Sequence, residues 1–382
     1  MRSLEMNGSL ATDRQSTHMR RALDLAARGR GAVSPNPLVG AVIVAPSGDV
    51  LGEGFHAELG GQHAEVAALE DAAARGADVT GSTMFVTLEP CAHHGRQPPC
   101  AEAILGAGLS TVVIASDDPT EKASGRGPGV LRDGGVEVEW ATGADAATAR
   151  LLNQPFRKRA RTGRPLVVLK SALTLDGRTA TAGGDSKWIS GDPARELVHR
   201  WRSDLDAVAV GIETAIADDA LLTSRGVDAA RQPTRVVFDS SARLPLDGLL
   251  VRTTTEAPVI VIAGPAAPPP AVDVLTNAGV EVVVCQGEGP ERVKVALDEL
   301  GRRDIGSLLL EGGATLAGSF REAGELDELR LFYAPLLLGG ADARPLLGGT
   351  GPDRLHDAER ALAVEWEPVG EDMLARVRMR EW

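Results

Sequence analysis

The stretch Thr87–Leu105, TLEPCAHHGRQPPCAEAIL, sets eight residues between Cys91 and Cys100, two of them histidines and two prolines. The pair can be read as a disulfide, a metal site or two core thiols. Its surroundings are easier to place. The apolar run STMFVTLE (residues 82–89) reads as a strand. PPCAEAILGAG (98–108) reads as a helix with proline at its start and glycine at its end, the usual asymmetry. Strand, loop and helix recur on both sides. HMRRALDLAARG (18–29) is a helix ended by Gly29, LVGAVIVA (38–45) is a buried strand, and GDVLGEGF (48–55) returns as its partner across a Pro-Ser-Gly-Asp turn. HAEVAALEDAAARG (63–76) is an alanine-rich helix closing at Gly76, and TVVIAS and VEVEW add strands. About five strands alternating with about three helices predict a layered α/β domain.

Composition narrows the class. A chain of 382 residues exceeds one ordinary core, which predicts two domains. Its 43% hydrophobic and 24% charged content is that of a soluble globular protein. No run approaches the roughly 18 apolar residues of a membrane span. MRSLEMNGSLATDRQ (1–15) lacks an apolar signal-peptide core and reads as a disordered lead-in. The expected location is cytoplasmic, where thiols stay reduced, and this argues against a disulfide. A net charge of −13 argues against a broad nucleic-acid footprint. Small molecules are the expected partners.

Near residues 141–164 the alternation lapses into ATGADAATARLLNQPFRKRARTGRP, which ends in a basic cluster. The expected division is a first domain over 14–150, a linker over 151–164 and a second domain over 165–382. Beyond the boundary PLVVLKSAL, DAVAVGI, TRVVFDS, PVIVIAG, VEVVVC, SLLLEGG and ELRLFYAP read as strands separated by helices. MLARVRM (373–379) alternates as an outer antiparallel strand would.

Four of the seven histidines, His56, His63, His93 and His94, crowd into the same region as Cys91 and Cys100. Zinc takes these ligand types, and His63, Cys91 and Cys100 would leave its fourth position open for water, as catalytic zinc does. Glu65, two residues after His63, can face that water without ligating the metal and carry its proton to a leaving amine. This is the logic of zinc deaminases, H-x-E followed by P-C-x-x-C. Here the second element is P-C-x8-C, so both cysteines come from a longer loop, with Cys100 near the positive end of a helix dipole. Two buried thiols remain the bland alternative, and a structural zinc finger would need a fourth ligand from His93 or His94.

NPLVGAVIV, HAEVAAL, VTLEPCAHHGRQPPC and GRGPGVLRDGGVEV together resemble the N-terminal domain of the bifunctional deaminase–reductases of riboflavin biosynthesis. The second half is similar to their partner domain through LKSALTLDGRTATAGGDSKWIS, TAIADDALLTSR and LLEGGATLAGSF. The resemblance runs from about residue 14 to the end. It implies a cytidine-deaminase-like three-layer domain followed by a dihydrofolate-reductase-like α/β domain. It further implies zinc-dependent deamination of a diaminopyrimidinone ribosyl phosphate, then NADPH-dependent reduction of ribosyl to ribityl, and a homo-oligomer. It places Asn36, His56, His93 and Arg96 near the pyrimidine and its phosphate. In DPTEKASGRG (118–127) Thr120 stands where the family commonly has asparagine.

For the reductase half, LEGGATLAGSF supplies a strand end, a glycine pair and a helix start able to present backbone N–H groups to a pyrophosphate. It lacks the G-x-G-x-x-G fingerprint, which disfavours a Rossmann fold. The resemblance carries cofactor contacts onto Ala172, Trp188, Thr214, Asp218, and the run Gly313, Ala314, Thr315, Leu316, Ala317, Gly318 and Ser319. It carries substrate contacts onto Ser186, Arg202, Leu222, Arg225 and Glu311. Lys170 and Asp176, on the first strand and its turn, are candidates beside the ribose or an ion pair. Both arginines suit a phosphate clamp, although either alone reads as a surface salt bridge. Cys285 ends an apolar strand and reads as inert core. The competing functions are a nucleic-acid-editing zinc deaminase with an appended domain, and a catalytically dead paralogue that binds pyrimidine or NADP.

Overall fold

The computed structural model describes residues 16–94, 98–121 and 123–382, so the lead-in and Arg96 lie outside the described residues. The chain falls into two units, Met1–Thr162 together with Trp382, and Gly163–Glu381.

The first unit holds α1 (16–27), β1 (Gly40–Val44), β2 (Val50–Phe55), α2 (Ala64–Ala74), β3 (Thr83–Val86) and α3 (Cys100–Gly106). It continues with β4 (Thr111–Ile114), α4 (Arg126–Asp133), β5 (Glu137–Trp140), α5 (Gly143–Leu152) and α6 (Gln154–Thr162). The five strands lie in the order β2-β1-β3-β4-β5. β1 runs antiparallel to β2 and β3, and β3, β4 and β5 are parallel. Successive residues of β1 face opposite ways, as a period of two requires. Ala41 and Ile43 join Ala68, Ile104 and Leu131 from α2, α3 and α4. Val42 and Val44 join Ala22, Leu25 and Ala149 from α1 and α5. Helices thus cover both faces, giving the expected three layers. The alanines of α2 have a steric purpose. A Cβ on Gly52 or Gly54 of β2 would fall 2.3 or 2.4 Å from the backbone of Ala68, so only small residues on both elements permit this approach.

The second unit holds β6 (Leu166–Leu173), β7 (Arg178–Ala180), α7 (Asp192–Asp204), β8 (Ala207–Gly211), α8 (Ile212–Asp218), β9 (Thr234–Phe238), α9 (Leu249–Arg252) and β10 (Val259–Ala263). Then come α10 (Pro269–Asn277), β11 (Glu281–Val284), α11 (Gly289–Arg302), β12 (Ser307–Leu310), α12 (Ala314–Glu322), β13 (Glu328–Tyr333), β14 (Arg344–Pro345), β15 (Ala363–Val369) and β16 (Asp372–Arg378). Its sheet has nine strands in the order β11-β10-β9-β8-β12-β6-β13-β16-β15. The strands from β11 to β13 are parallel, and β16 and β15 are added antiparallel. Buried on both faces, β8, β10 and β12 read as continuous apolar runs, as parallel strands do.

Two local expectations change. MLARVRM pairs on both sides, and the outer strand is β15, AVEWEPV, whose glutamates and Pro368 suit an edge. The stretch read as a linker carries α6, QPFRKRART, in which Arg157 and Lys158 are buried.

Candidate functional site

His63 sits at the N-cap of α2, in extended backbone, and Glu65 occupies the first turn. Cys91 lies in the loop after β3, and Cys100 opens α3. These separate elements bring three donor atoms together: His63 Nδ1 stands 3.2 Å from Cys100 Sγ and 3.6 Å from Cys91 Sγ. One imidazole nitrogen and two sulfurs, all within 4.8 Å of one another, are a donor set that fits zinc. The Cys100 backbone N–H also donates to Cys91 Sγ at 3.3 Å, so the start of α3 supplies a fixed positive dipole to that sulfur. The Cys100 thiol, the His63 imidazole and this N–H hold the Cys91 thiol well below the usual range; hydrogen bonding to Cys91 and burial push Cys100 up. All three cysteines are free thiols.

Glu65 is buried, and its carboxyl is pushed up to about 7, chiefly by that burial. It lies within electrostatic reach of His63, Cys91 and Cys100. His56 is also buried, which lowers its basicity. Its Nδ1 lies 2.8 Å from the Gln62 carbonyl and must therefore carry the proton. The opposite nitrogen, Nε2, is then an acceptor for the Asn36 amide at 3.1 Å. This fixes Asn36 with its carbonyl oxygen turned away from His56. The His56 and His63 rings meet edge to face at 5.7 Å. His93 and His94 are exposed on the loop after Cys91, and His94 approaches Glu102. Thr120 donates through both its N–H and its hydroxyl to Asp118 Oδ1, closing a turn in the loop after β4.

In the second unit, β8 and β12 are parallel neighbours; β8 leads directly into α8, and β12 reaches α12 after three residues. The starts of α8 and α12 consequently lie side by side, where open α/β sheets present their binding crevice. A Cβ on Gly313 would stand 3.6 Å from Thr214 Oγ1, an ordinary contact that joins the two helix starts. Gly313, Ala314 and Thr315 occupy the first turn, where unpaired N–H groups suit a phosphate. Farther along, Ala317 packs in the core, and a Cβ on Gly318 would meet the Gly348 carbonyl at 2.4 Å. Those two face protein. Leu316 packs over Gly211 and Gly312, and Ser319 bonds back to the Thr315 carbonyl. Ala172 lies on β6, and Asp218 is exposed at the end of α8.

Beside this crevice Arg202 of α7 grips Glu311 with two bonds, 2.7 and 2.9 Å, and donates to the Thr223 carbonyl next to Leu222. Half-buried Lys170 feels both charges, and its ammonium is disfavoured mainly by burial. Arg225 donates its backbone N–H to His199 Nδ1. Trp188 is 72% exposed, with the Arg195 guanidinium 4.6 Å over its ring. Ser186 is exposed two residues earlier. Asp176 is differently engaged: its oxygens accept from the Thr174 hydroxyl and from the N–H groups of Leu338 and Gly339. Sequence reading overlooked Arg195 and His199. Their spacing with Arg202 on α7 marks one helical face, and that is the signal that could have found them.

Site and fold define a cytidine-deaminase-like zinc unit joined to a reductase-like unit. Residues 12–116 match the cytidine and deoxycytidylate deaminase zinc-binding region, and residues 165–375 match the RibD C-terminal domain. The riboflavin biosynthesis protein RibD of Actinobacillus pleuropneumoniae is 40% identical over 370 residues, 96% of each chain. That of Escherichia coli (strain K12) is 38% identical over 369 residues, covering 93% of this chain and 97% of the other. Two solved structures each cover 97% of this chain and 100% of their own, with a TM-score of 0.84: RibD of Acinetobacter baumannii at 37% identity, and a diaminohydroxyphosphoribosylaminopyrimidine deaminase/5-amino-6-(5-phosphoribosylamino)uracil reductase from Thermotoga maritima at 35%. The chain belongs to the RibD family, the bifunctional deaminase–reductases of riboflavin biosynthesis.

Both expected folds are present, cytidine-deaminase-like and dihydrofolate-reductase-like. The protein is accordingly an enzyme with a zinc-binding deaminase domain and an NADPH-using reductase domain. Among the described residues no helix is long and apolar enough to cross a membrane.

Proposed function

We propose that the first unit hydrolytically deaminates 2,5-diamino-6-(5-phosphoribosylamino)pyrimidin-4-one and that the second reduces the product's ribosyl chain to ribityl. The observation that carries this reading is the convergence of His63, Cys91 and Cys100 with buried Glu65 against them, in a chain that also carries the paired helix starts of a reductase.

His63 Nδ1 and the sulfurs of Cys91 and Cys100 would hold the metal. Zinc there supplies the Lewis acidity that makes water nucleophilic at neutral pH. Glu65 takes a proton from the attacking water and returns it to the departing amine. The ring carbon thereby exchanges its C–N bond for C–O, and ammonia leaves. Asn36, held by His56, offers its free carbonyl oxygen to a ring N–H of the pyrimidine. His93 and Arg96 serve the phosphate end, and the Asp118–Thr120 turn closes the other side.

In the second unit NADPH supplies the hydride for the sugar carbon. Backbone N–H groups of Gly313, Ala314 and Thr315 would hold its phosphates, with Thr214 beside them, and exposed Trp188 would offer its ring to the cofactor. Lys170, Arg202, Arg225 and Glu311 hold the polar sugar chain and its phosphate. The same cation-rich face suits a small phosphorylated substrate in a protein of net acidic charge. The family also suggests a homo-oligomer and a cytoplasmic setting.

The test is to follow ammonia release and NADPH oxidation together in zinc-loaded protein given the diaminopyrimidinone. Ammonia first and NADPH loss after it is the expected order. Absence of both would sink the substrate assignment.

A further inference from the structure

The junction of α5 and α6 buries four polar residues in succession or nearly so: Asn153, Gln154, Arg157 and Lys158 are each no more than 2% exposed. Burial of such groups is unfavourable unless every donor finds an acceptor. Their partners lie far away in sequence. Asn153 accepts from the Leu38 N–H at 2.8 Å and donates to the Leu38 carbonyl at 2.9 Å, so its amide clamps both polar groups of one residue. Arg157, one turn farther on, donates to the Ser116 hydroxyl, the Asp117 carbonyl and both oxygens of the Asp117 carboxylate. Its remaining Nε donates to the Trp382 carbonyl at 2.6 Å. Gln154 brackets Trp382 from the other side, and the Lys158 ammonium lies 5.3 Å from the centre of its ring.

Each clamped loop leads to the ligand cluster. Leu38 is two residues from Asn36, which bonds His56, whose ring meets His63. The Ser116 carbonyl receives the Glu89 N–H at 2.9 Å. Glu89 is two residues before Cys91. We propose that Asn153 and Arg157 are positioning residues of the deaminase, a brace one helical turn long that holds loops 34–38 and 116–120 against the His63, Cys91 and Cys100 cluster. This rests on the deaminase reading above. Neither residue touches substrate. They set the width between Asn36 on one wall and the Asp118–Thr120 turn on the other, and Trp382 completes the coordination of Arg157.

The variants Asn153→Leu and Arg157→Met remove the clamps while keeping most of the volume. In the full-length zinc-loaded protein we measure kcat and KM for ammonia release, zinc content, thermal unfolding, and NADPH oxidation with the deaminated substrate. A brace that positions predicts a KM for the pyrimidine raised about tenfold or more, with about one zinc per chain and NADPH oxidation retained. Arg157→Lys, which restores one donor, should recover part of the KM. A purely structural part predicts zinc and kcat falling together with the folded fraction at constant KM, and that result would overturn the proposal. Should Arg157→Met fail to fold, Asp117→Ala removes the same bond from its half-exposed side and must raise KM alike. If the unsubstituted protein releases no ammonia, the deaminase reading falls and this proposal with it. Ammonia release with KM unaltered in the variants overturns the proposal alone.

Discussion

Two glycines on α4 provide a sharp test of how the zinc cluster is held. Gly127 is buried, and a Cβ built on it would stand 1.8 Å from the Pro90 carbonyl oxygen. Gly129, on the same helix, has nothing within 4 Å of its would-be Cβ. Substituting alanine at 127 requires the gap to open by about 1.2 Å merely to reach the shortest tolerable contact. Pro90 is joined directly to Cys91, and zinc sites tolerate errors of only about 0.2 Å in ligand distance. If α4 absorbs two thirds of the displacement, about 0.4 Å remains at the loop, twice that tolerance. Gly127→Ala should therefore weaken zinc binding about 10–100-fold, the range seen when supports of metal ligands are disturbed. Gly129→Ala should leave zinc unchanged and stabilise the helix by up to about 1 kcal/mol. The assay is competition for zinc with a chromogenic chelator, alongside ammonia release and NADPH oxidation on deaminated substrate. Native zinc affinity in both variants would refute the reasoning, because it would mean that α4 yields freely and does not support Cys91.

Cys91→Ser should lose zinc and ammonia release together while NADPH oxidation on deaminated substrate persists; full zinc retention would show that Cys91 is not a ligand. Arg202→Met leaves the Glu311 carboxylate, only 11% exposed, with Lys170 as its nearby cation, and should destabilise the second unit by about 3 kcal/mol in urea unfolding. Adding Glu311→Gln should recover much of that loss, and failure to recover would show that the pair is not the source. The Asp176 carboxyl is held down to about 2, below its ordinary 3.8, by the Leu338 N–H, the Thr174 hydroxyl and the Gly339 N–H. Because the folded value is depressed, this tether is fully present above about pH 4 and is lost as pH falls towards 2. Hydrogen exchange at Leu338 and Gly339, corrected for intrinsic rates, should accelerate through that window, and Asp176→Asn should flatten the response.

Much of the first unit could be read in advance because its signals are local. The unbroken apolar run GAVIV reports a strand buried on both faces, and the H-x-E and P-C-x8-C elements point to the candidate ligands without any knowledge of strand order. What escaped was non-local or polar. β15 exposes glutamates and carries a proline, so its sequence resembles a loop, and only the neighbouring β16 makes it a strand. QPFRKRART fell within the expected linker, a charged stretch where the strand–helix alternation lapses. The acceptors that bury Arg157 lie 40 and 225 residues away, and no window on the sequence contains them. The glycine run after β12 told the same lesson in reverse. Residues 313–319 carry one shared expectation in the sequence, yet helical periodicity turns Ala317 and Gly318 towards protein, while Gly313 to Thr315 form the helix start.

Each site follows a parallel-paired strand of its own sheet, β3 in the first unit and β12 in the second, and loop length follows from the chemistry each must hold. After β3 the chain needs side chains of opposite ends of a loop to converge on a single point, so Cys91 and Cys100 are separated by enough residues to fold back while α3 begins at the second ligand. After β12 the proposed cofactor contacts are backbone N–H donors, which a helix start leaves unpaired, and α12 follows the strand after three residues, two of them glycine. A Cβ on Gly312 would meet the Cδ2 end of Leu316 at 2.9 Å, a contact that a turn of that side chain can relieve. A few residues added between Cys91 and Cys100 can be absorbed provided both sulfurs return to His63. The same addition before Gly313 would carry every N–H of the first turn away from Thr214, and no side chain in the loop could replace them.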